Sequence, residues 1–511
     1  MPAQPRRWTA GSIVRLLTSV TAVAFAAAAC SVSGDAEGPP LRRSPSFFAE
    51  IDGIFTANCS GCHSAGSRAP DLLDHRVLDR LTDEAFHTVI MTGAPGKGMP
   101  AFGATISEQQ GWQMITYLRF MAENRRQKPV FVADPTGQVI DSDDQRFRID
   151  VLATGLETPW GLAFIPDGRM LVTERPGRLR IVQGSQLLDA PVRGTPKVWE
   201  RQDAGLLDVA VHPDYANNGW IYLAYSEALP AEAGGTEAET TSPPSMTVIV
   251  RGRLGPNNNW TSEETIFRAP AQFYSVNDSH YGTRMAFDSE GHLFFSIGEK
   301  GNSNAAQDLT SPLGKIHRVM ADGSVPADNP FVGRTDGALP TIWSFGHRNP
   351  QGFAWANSGM LWSSEHGPLG GDEINIIERG GNYGWGVATF GTQPGITLRS
   401  APGMIDPVVS YTPAIAPSGI TILQGDQYPR WKGDMFVAAL GGQQLRRLKI
   451  DGRQVIGQEV LFDHFGRVRT VAEGPDGLLY VLLQNPTGAD TGHSLSSSTP
   501  GILIKLTPVG Q

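Results

Sequence analysis

Cys59-Ser60-Gly61-Cys62-His63 sets two thiols and an imidazole at the spacing of covalently attached haem. Two cysteines so close can straddle a porphyrin edge as thioethers, and the adjacent His63 can then reach the iron. The other use of such a pair is half of a zinc site. The chain holds only three cysteines (Cys30, Cys59 and Cys62), so no second pair completes four ligands. A soft, neutral sulfur is expected as the second axial ligand, roughly 30–50 residues on. Met99 fits, in a glycine-rich loop "GAPGKGMPAFG" stiffened by Pro100. His/Met ligation raises the haem potential, which suits electron acceptance. Met91 and Met114 are rivals and read better as core packing; His75 and His87 read as surface or packing residues.

Four clusters further on mix glycine turns with polar groups. "NDSHYGTR" holds His280 and Arg284, and "SFGHRNPQG" holds His347, Arg348 and Asn349. "SSEHGPLGGDEIN" and "GGNYGWG" hold Glu365, His366, Asp372, Glu373 and Tyr383, and "FGRVRTV" holds Arg467 and Arg469. Arginines at i and i+2 of a regular strand face the same way, and two guanidiniums aimed at one spot suit a poly-anionic ligand. A histidine beside them can act as a general base. With a redox haem in the same chain, an anionic redox cofactor explains these groups better than a hydrolytic site. No Gly-x-Gly-x-x-Gly strand–helix unit points to a dinucleotide.

The elements that must position these groups fall into two textures. Phe47, Phe48, Ile51, Ile54 and Phe55 recur at helical spacing and predict a helix running into the haem motif. Ser107 and Gln110 read as a capping box ahead of "GWQMITYLRFM". Residues 45–125 are therefore expected to be a small all-α domain, followed by a polar linker at 126–146. From 147 to 511 the chain turns to short β runs, each opened by a glycine: Gly168, Gly219, Gly291, Gly359, Gly433 and Gly477. Six copies predict an all-β six-bladed propeller, closed by pairing "GILIKLTP" with "FRIDVLATG". The spacing is uneven, and a pair of β-sandwiches is the alternative. "LPAEAGGTEAETTSPPSM" reads as a surface loop.

Composition agrees with a multidomain, turn-rich chain: 511 residues, 40% hydrophobic, 18% charged, with 59 glycines and 37 prolines. The net charge of −9 argues against a nucleic-acid partner. Arg6, Arg7 and Arg15 precede an apolar run of about 14 residues, short for a membrane span, that ends in small residues before Cys30. Residues 1–30 read as an export signal. "AAAC" resembles a bacterial lipobox with Ala27 where leucine is usual, so acylation of Cys30 is expected, with plain cleavage as the other outcome. Residues 31–44 are a polar tether. The expected location is periplasmic or extracytoplasmic, with the membrane met only through a lipid anchor.

Residues 45–125 resemble class I c-type cytochromes in motif, spacing and the Met-Pro-x-Phe loop. Residues 147–510 resemble the soluble quinoprotein sugar dehydrogenases, the glucose/sorbosone or aldose sugar dehydrogenase family. The stretches that carry this include "GLETPWGLAFIPDGRMLVTERPGRLRIV", "HYGTRMAFD", "WSFGHRNPQG", "SEHGPLGGDEINIIERGGNYGWG" and "EGPDGLLYVL". The resemblance implies a six-bladed propeller that binds pyrroloquinoline quinone (PQQ) and Ca2+. His280 would be the base that takes the C1 hydroxyl proton of an aldose-type sugar while hydride passes to the quinone C5. Arg348 would stabilise the charge that develops there, and Asn349 would contact the cofactor. The Gly367 and Pro368 carbonyls would hold the calcium that bridges to PQQ, and Arg467 and Arg469 would pair with its carboxylates. A second calcium would use Glu373 and the neighbourhood of Tyr383.

Three positions depart from the family pattern. Asp203 stands where a glutamine usually contacts the cofactor or substrate, Glu299 where an aspartate orients the catalytic histidine, and Gly441 where the glucose enzymes carry a lysine. The implied function is sugar oxidation at C1, with electrons passed to the fused haem c and on to an external acceptor, a cytochrome or respiratory chain. A dehydrogenase for another alcohol or aldehyde such as sorbosone is one alternative. A non-catalytic propeller that binds a ligand or partner is the other. His280 as a hydrogen-bonded structural histidine, the arginines as inter-blade ion pairs and Glu373 as a solvated turn acid are the corresponding structural readings.

Overall fold

A computed structural model describes residues 45–67, 69–78, 83–126, 130–230, 243–484 and 500–510. The export segment, Cys30 and the tether lie outside the described residues, as does most of the 229–246 insertion. Leu41–Gln511 is a single compact unit.

Four helices build the first part: α1 (Pro45–Asn58), α2 (His75–Leu78), α3 (Asp83–Thr92) and α4 (Glu108–Arg125). Ile51 and Phe55 on α1, Phe86 and Ile90 on α3, and Met114, Ile115 and Leu118 on α4 share one core. The Ser107 hydroxyl accepts from the Gln110 amide at 3.2 Å, and the Gln110 side chain accepts from Ser107 N–H at 2.9 Å. The capping box that the sequence predicts thus opens α4.

The rest is a six-bladed propeller. Blades 1 to 5 each have four antiparallel strands, and their innermost strands are Pro159–Phe164, Leu206–Val211, Met285–Phe287, Pro350–Trp355 and Pro417–Ile422. Blade 6 begins inside at Arg467–Glu473, continues through Leu479–Gln484 and Gly501–Pro508, and is completed by Arg146–Leu156 from the front of the domain. Phe147 pairs with Pro508 and Leu156 with Gly501, so the two ends of the domain close the ring as predicted. One boundary shifts. Val139–Asp141, inside the stretch read as linker, adds a fifth edge strand to blade 6, and Val132 donates to the His464 carbonyl. Val132 and Ile140 are apolar and pack on the blade-6 core, which holds this segment down.

The six glycines of the repeat occupy one structural position. Each lies in the turn between the first and second strands of its blade, with φ between +68° and +88°. A side chain there would be strained, which is why glycine marks every copy. Their spacing is uneven because blade 2 has long outer strands with a long exit connection and long excursions interrupt blades 3 and 4, such as 378–408 before the outer strand of blade 4.

Second strands are buried on both faces. In blade 2, Ile221, Leu223 and Tyr225 face blade 1 while Tyr222 and Ala224 face blade 3. Six apolar clusters fill the six blade interfaces in this way. At about 1.5–3 kcal/mol per fully buried large apolar side chain, these interfaces dominate the stability of the ring.

Candidate functional site

Inner strands of a propeller converge, so residues just before them, and just after the second strands, meet at one mouth. Here those residues are Asp203, His280, Arg348 and Arg467 on one side, and Glu299 and Glu365 on the other. Five of the six inner strands carry a register shift near that end. Bulges of this kind re-aim side chains beside functional sites.

His280 has φ +56°, an uncommon conformation for a residue with a side chain. Two groups hold it there. The Asp203 carboxylate accepts from His280 N–H at 3.1 Å, and the Glu299 carboxylate lies 2.5 Å from His280 Nδ1. Gly298 permits the approach, since a Cβ there would lie 2.1 Å from the His280 carbonyl oxygen. With Glu299 ionised, Nδ1 carries the ring proton and Nε2 is left as the acceptor. Glu299 thus holds the His280 ring, and Asp203 holds its main chain. The second oxygen of Glu299 is buried and has no hydrogen-bond partner among the described residues.

Arg348 follows at the same mouth. Its guanidinium donates to the His366 carbonyl at 3.2 Å and lies 5.2 Å from the Trp385 ring, and its N–H donates to Glu365 at 2.9 Å. Burial lowers its pKa, opposed by Glu299, Asp372, Glu365 and Asp203. Its Nε is likewise buried without a hydrogen-bond partner among the described residues. Asn349 accepts from Gly282 N–H at 3.0 Å and so ties the His280 loop to blade 4. His347 is buried between Ser344 and Glu365 and stacks on Tyr383, a structural role.

The loop Gly367–Gly371 turns back so tightly that a Cβ on Gly367 would lie 2.2 Å from the Gly371 carbonyl oxygen. Asp372 clasps it from below, accepting from Gly367, Ile415 and Ala416 N–H at 2.6–2.8 Å. Burial nevertheless lifts Asp372 to about 6. Among the described residues neither the Gly367 nor the Pro368 carbonyl accepts a hydrogen bond. Two unpaired carbonyls beside buried carboxylates are the oxygen donors a hard cation takes.

Glu373 is pushed well up by burial and by repulsion from Glu365. It faces a cavity of ≈ 10 Å³ with Tyr383, Thr389, Ser400 and Asp406, about the space that one water-sized particle's centre occupies. The Tyr383 phenol is not free to ligate. It donates to the Ile376 carbonyl at 2.6 Å and accepts from Glu378 N–H at 2.8 Å, so what Tyr383 brings to Glu373 is its neighbourhood rather than its hydroxyl. No group of three or more His, Cys, Asp or Glu side chains converges among the described residues. A cation here would draw on main-chain oxygens beside the buried carboxylates.

The paired-arginine reading holds only in part. A bulge between Val468 and Thr470 breaks the alternation between Arg467 and Arg469. Arg467 is half-buried at the start of its strand. Arg469 is buried and donates to Gln351 at 3.1 Å and to Ser418 at 3.4 Å. It belongs to a network that the sequence reading missed. Arg284 donates to Asp208 at 3.0 Å and to the Gln351 carbonyl at 2.8 Å, while Thr470 donates to the Trp160 carbonyl at 2.7 Å. Trp160, Asp208, Arg284, Gln351, Ser418 and Thr470 come one from each inner strand or its lead-in, so this polar floor joins all six blades.

Lys300, next to Glu299, was also missed; its only sequence signal is its place in "GEKG". It is 2% exposed, donates to the Asn277 carbonyl and sits 3.3 Å from the centre of the Tyr281 ring. It thus buttresses both ends of the turn that carries His280. Burial pushes its pKa from 10.5 down to about 7. Between those values the unfolded chain binds a proton that the folded chain does not, so this group makes stability rise with pH, and below about 7 the full cost of a buried ammonium is present. Lys300→Met should lose that contribution, whose slope is at most about 1.4 kcal/mol per pH unit. Denaturant midpoints from neutral to alkaline pH check this as a wild-type-minus-variant difference, which removes the matching effect of buried Lys315. Identical pH slopes would contradict it.

In the helical part, His63 Nδ1 lies 2.9 Å from the Pro70 carbonyl, which leaves Nε2 for an iron. Neither Cys59 nor Cys62 is in a disulfide among the described residues. Met114 is 1% exposed in the core, and Met91 packs against Gly103 and Gly111. Met99 stays outside that core, on a loop closed by its bridge to Ala94. Gly93 is required there: φ is +74°, and a Cβ would lie 2.7 Å from the Ala101 nitrogen. His87 stacks on Trp112 at 3.9 Å, a packing residue; His75 has no described side chain.

A cavity of ≈ 820 Å³ lies away from His280. It lies between α3 and α4 on one side and blades 4 and 5 on the other, and Gly441 lines it. A Cβ on Gly441 would lie 3.3 Å from the Ile415 carbonyl, so the main chain of blade 5 packs close at this position.

A family model described as Glucose / Sorbosone dehydrogenase matches residues 156–492. The chain belongs to this family. Ahead of it, residues 48–118 match the model described as Cytochrome C oxidase, cbb3-type, subunit III. The chain is a sugar-dehydrogenase propeller preceded by a cytochrome c domain. The aldose sugar dehydrogenase YliI of Escherichia coli is 39% identical over 353 residues, 67% of this chain and 91% of that protein. The apo-form structure of the E. coli aldose sugar dehydrogenase superposes with TM-score 0.63 at 36% identity, covering 71% of this chain and 100% of that one. A PQQ-bound aldose sugar dehydrogenase from Streptomyces coelicolor gives TM-score 0.56 at 29% identity, covering 73% and 100%. About three-quarters of this glucose/sorbosone dehydrogenase or less spans each of those structures in full, and its cytochrome match at 48–118 lies ahead of the dehydrogenase match.

Proposed function

We propose that this chain oxidises an aldose-type sugar at C1 with PQQ and Ca2+, and passes the electrons to its own haem c. The observation that carries this is the His280–Glu299 pair, with a base nitrogen left free, beside buried Arg348 at a mouth rich in guanidiniums. Bound PQQ with calcium supplies the two-electron acceptor, and haem held by Cys59, Cys62, His63 and Met99 supplies the one-electron exit. The rest is the work of side chains. Nε2 of His280 takes the C1 hydroxyl proton, and Glu299 steadies the imidazolium that forms. Arg348, buried and fixed by His366, meets negative charge as it develops. Gly367 and Pro368 offer calcium their unpaired carbonyls; Glu373 suits a second calcium through its cavity. Arg467 and Asn349 bind the carboxylate-bearing cofactor, above the floor that Arg469 completes.

Export and acylation at Cys30 belong to the same proposal, as does an external cytochrome or respiratory acceptor. Calorimetry tests the cofactor reading. PQQ should bind the purified protein at one site per chain when calcium is present, and binding should weaken by at least about ten-fold in chelator, the scale of one lost metal bridge. Binding that ignores calcium, or no binding, would favour a non-catalytic propeller.

A further inference from the structure

Helix α4 of the cytochrome domain and its C-cap residue Arg126 meet the propeller at three places. Arg399, on the long excursion of blade 4, lies between two rings: 4.4 Å from Phe390 of the propeller and 4.0 Å from Trp112 of α4. The same guanidinium donates to the Phe390 carbonyl at 3.2 Å and to Glu84 of α3 at 3.0 Å. Trp112 in turn stacks on His87 with 7° between the planes. Gly111 makes this stack possible, since a Cβ there would lie 2.9 Å from His87 Nε2. Phe390, Arg399, Trp112 and His87 thus form one continuous ladder from the propeller into the cytochrome core. Beside it Thr392 reaches Thr116 of α4 across a buried 3.4 Å contact. Farther along, Arg126 donates to Asp463 at 3.0 Å.

The place of this contact matters more than its area. Leu369, in the mouth loop next to Pro368, pairs with Thr392 through both main-chain bonds, at 3.0 and 3.4 Å. A Cβ on Gly370 would lie 3.5 Å from the Thr116 methyl. Helix α4 is therefore seated on the back of the loop whose carbonyls face the proposed cofactor.

We propose that Arg399 is the clamp that seats the cytochrome domain on the mouth loop Gly367–Gly371, and that this seating makes haem reduction by sugar an intramolecular step. The inference rests on the function proposed above. Oxidation of an aldose at C1 to its lactone releases two electrons and two protons. The protons leave to water by way of His280, and the electrons leave one at a time through the haem to an external one-electron acceptor. Electron transfer slows steeply with separation, so a cytochrome domain that swings away on its linker would reduce its haem slowly or only by collision. A flat, always charged guanidinium between two rings is suited to hold it, and lysine would keep the charge toward Glu84 without the stacking.

The test uses the full-length protein loaded with haem, PQQ and calcium, mixed with sugar in a stopped-flow instrument. In the wild type the haem should be reduced with a first-order rate that does not depend on protein concentration. Arg399→Ala should slow that rate by roughly ten-fold, the scale of one partly desolvated cation–π contact. Arg399→Lys should be nearly as slow. Sugar oxidation with a soluble dye and the haem spectrum should be unchanged in both variants. Hydrogen exchange on the haem-loaded, PQQ-free chain should quicken at 111–118 and 389–399 in Arg399→Ala. Unchanged haem reduction overturns the clamp, as does unchanged exchange. If sugar fails to reduce the wild-type haem, the proposed function is lost, and exchange alone then decides whether Arg399 seats the domain.

Discussion

His280→Ala should lower dye-linked sugar oxidation by about 10²–10⁴-fold, the usual contribution of a positioned base, with the haem spectrum intact. The size of the effect follows from how much of the mouth is spent on this one ring. Asp203 holds its main chain at φ +56°, Glu299 holds its Nδ1, and Gly298 keeps its carbonyl side clear. A structural histidine would be expected to have both ring nitrogens engaged, as His317 does with Thr341 and Pro312. His280 has Nδ1 engaged and its side chain remains 19% exposed, so Nε2 can meet a substrate. Glu299→Gln keeps the shape and removes the charge, so it should lower kcat less than His280→Ala does. Full dye-linked activity in His280→Ala would remove the base assignment.

Met99→Ala should act at the other end of the chain of events. Dye-linked oxidation at the propeller should stay close to wild type, while reduction of an external acceptor falls sharply. Loss of the thioether sulfur lowers the haem potential, because axial ligands set that potential over a wide range. Each fall of about 59 mV costs ten-fold in the equilibrium for a single electron. Potentiometry and the two assays together check the ordering. Equal losses in both assays would mean that the haem does not lie downstream of the propeller.

Much of the architecture was legible because it is written in repeated local demands. The left-handed turn glycine recurs at Gly168 through Gly477, and each apolar run behind it is buried on both faces; neither depends on distant contacts. The ring closure was legible from the unpaired runs left at the two ends. The capping box of α4 needs only residues three apart. What the sequence hid was decided by three-dimensional convergence. The i, i+2 rule for Arg467 and Arg469 assumed a regular strand, and a bulge at Arg469 sent that guanidinium to the channel floor. Lys300 had no periodicity to reveal it, and its importance comes from Asn277 and Tyr281 closing over it. Tyr383 was drawn into the metal set by its neighbours, but its phenol bonds the chain seven residues earlier. The Arg399 ladder joins residues 287 positions apart, so no local reading could show it.

The central claim is that sugar at the propeller mouth and haem in the helical domain belong to one relay. The most direct measurement is haem reduction in the purified full-length protein, supplied with PQQ and calcium and then with a panel of aldoses under anaerobic conditions. The account predicts that at least one aldose reduces the haem fully, that leaving out PQQ or adding chelator abolishes this, and that His280→Ala abolishes it as well. A haem that stays oxidised in the calcium- and PQQ-loaded protein, while a dye in the same solution is reduced by the sugar, would contradict the relay.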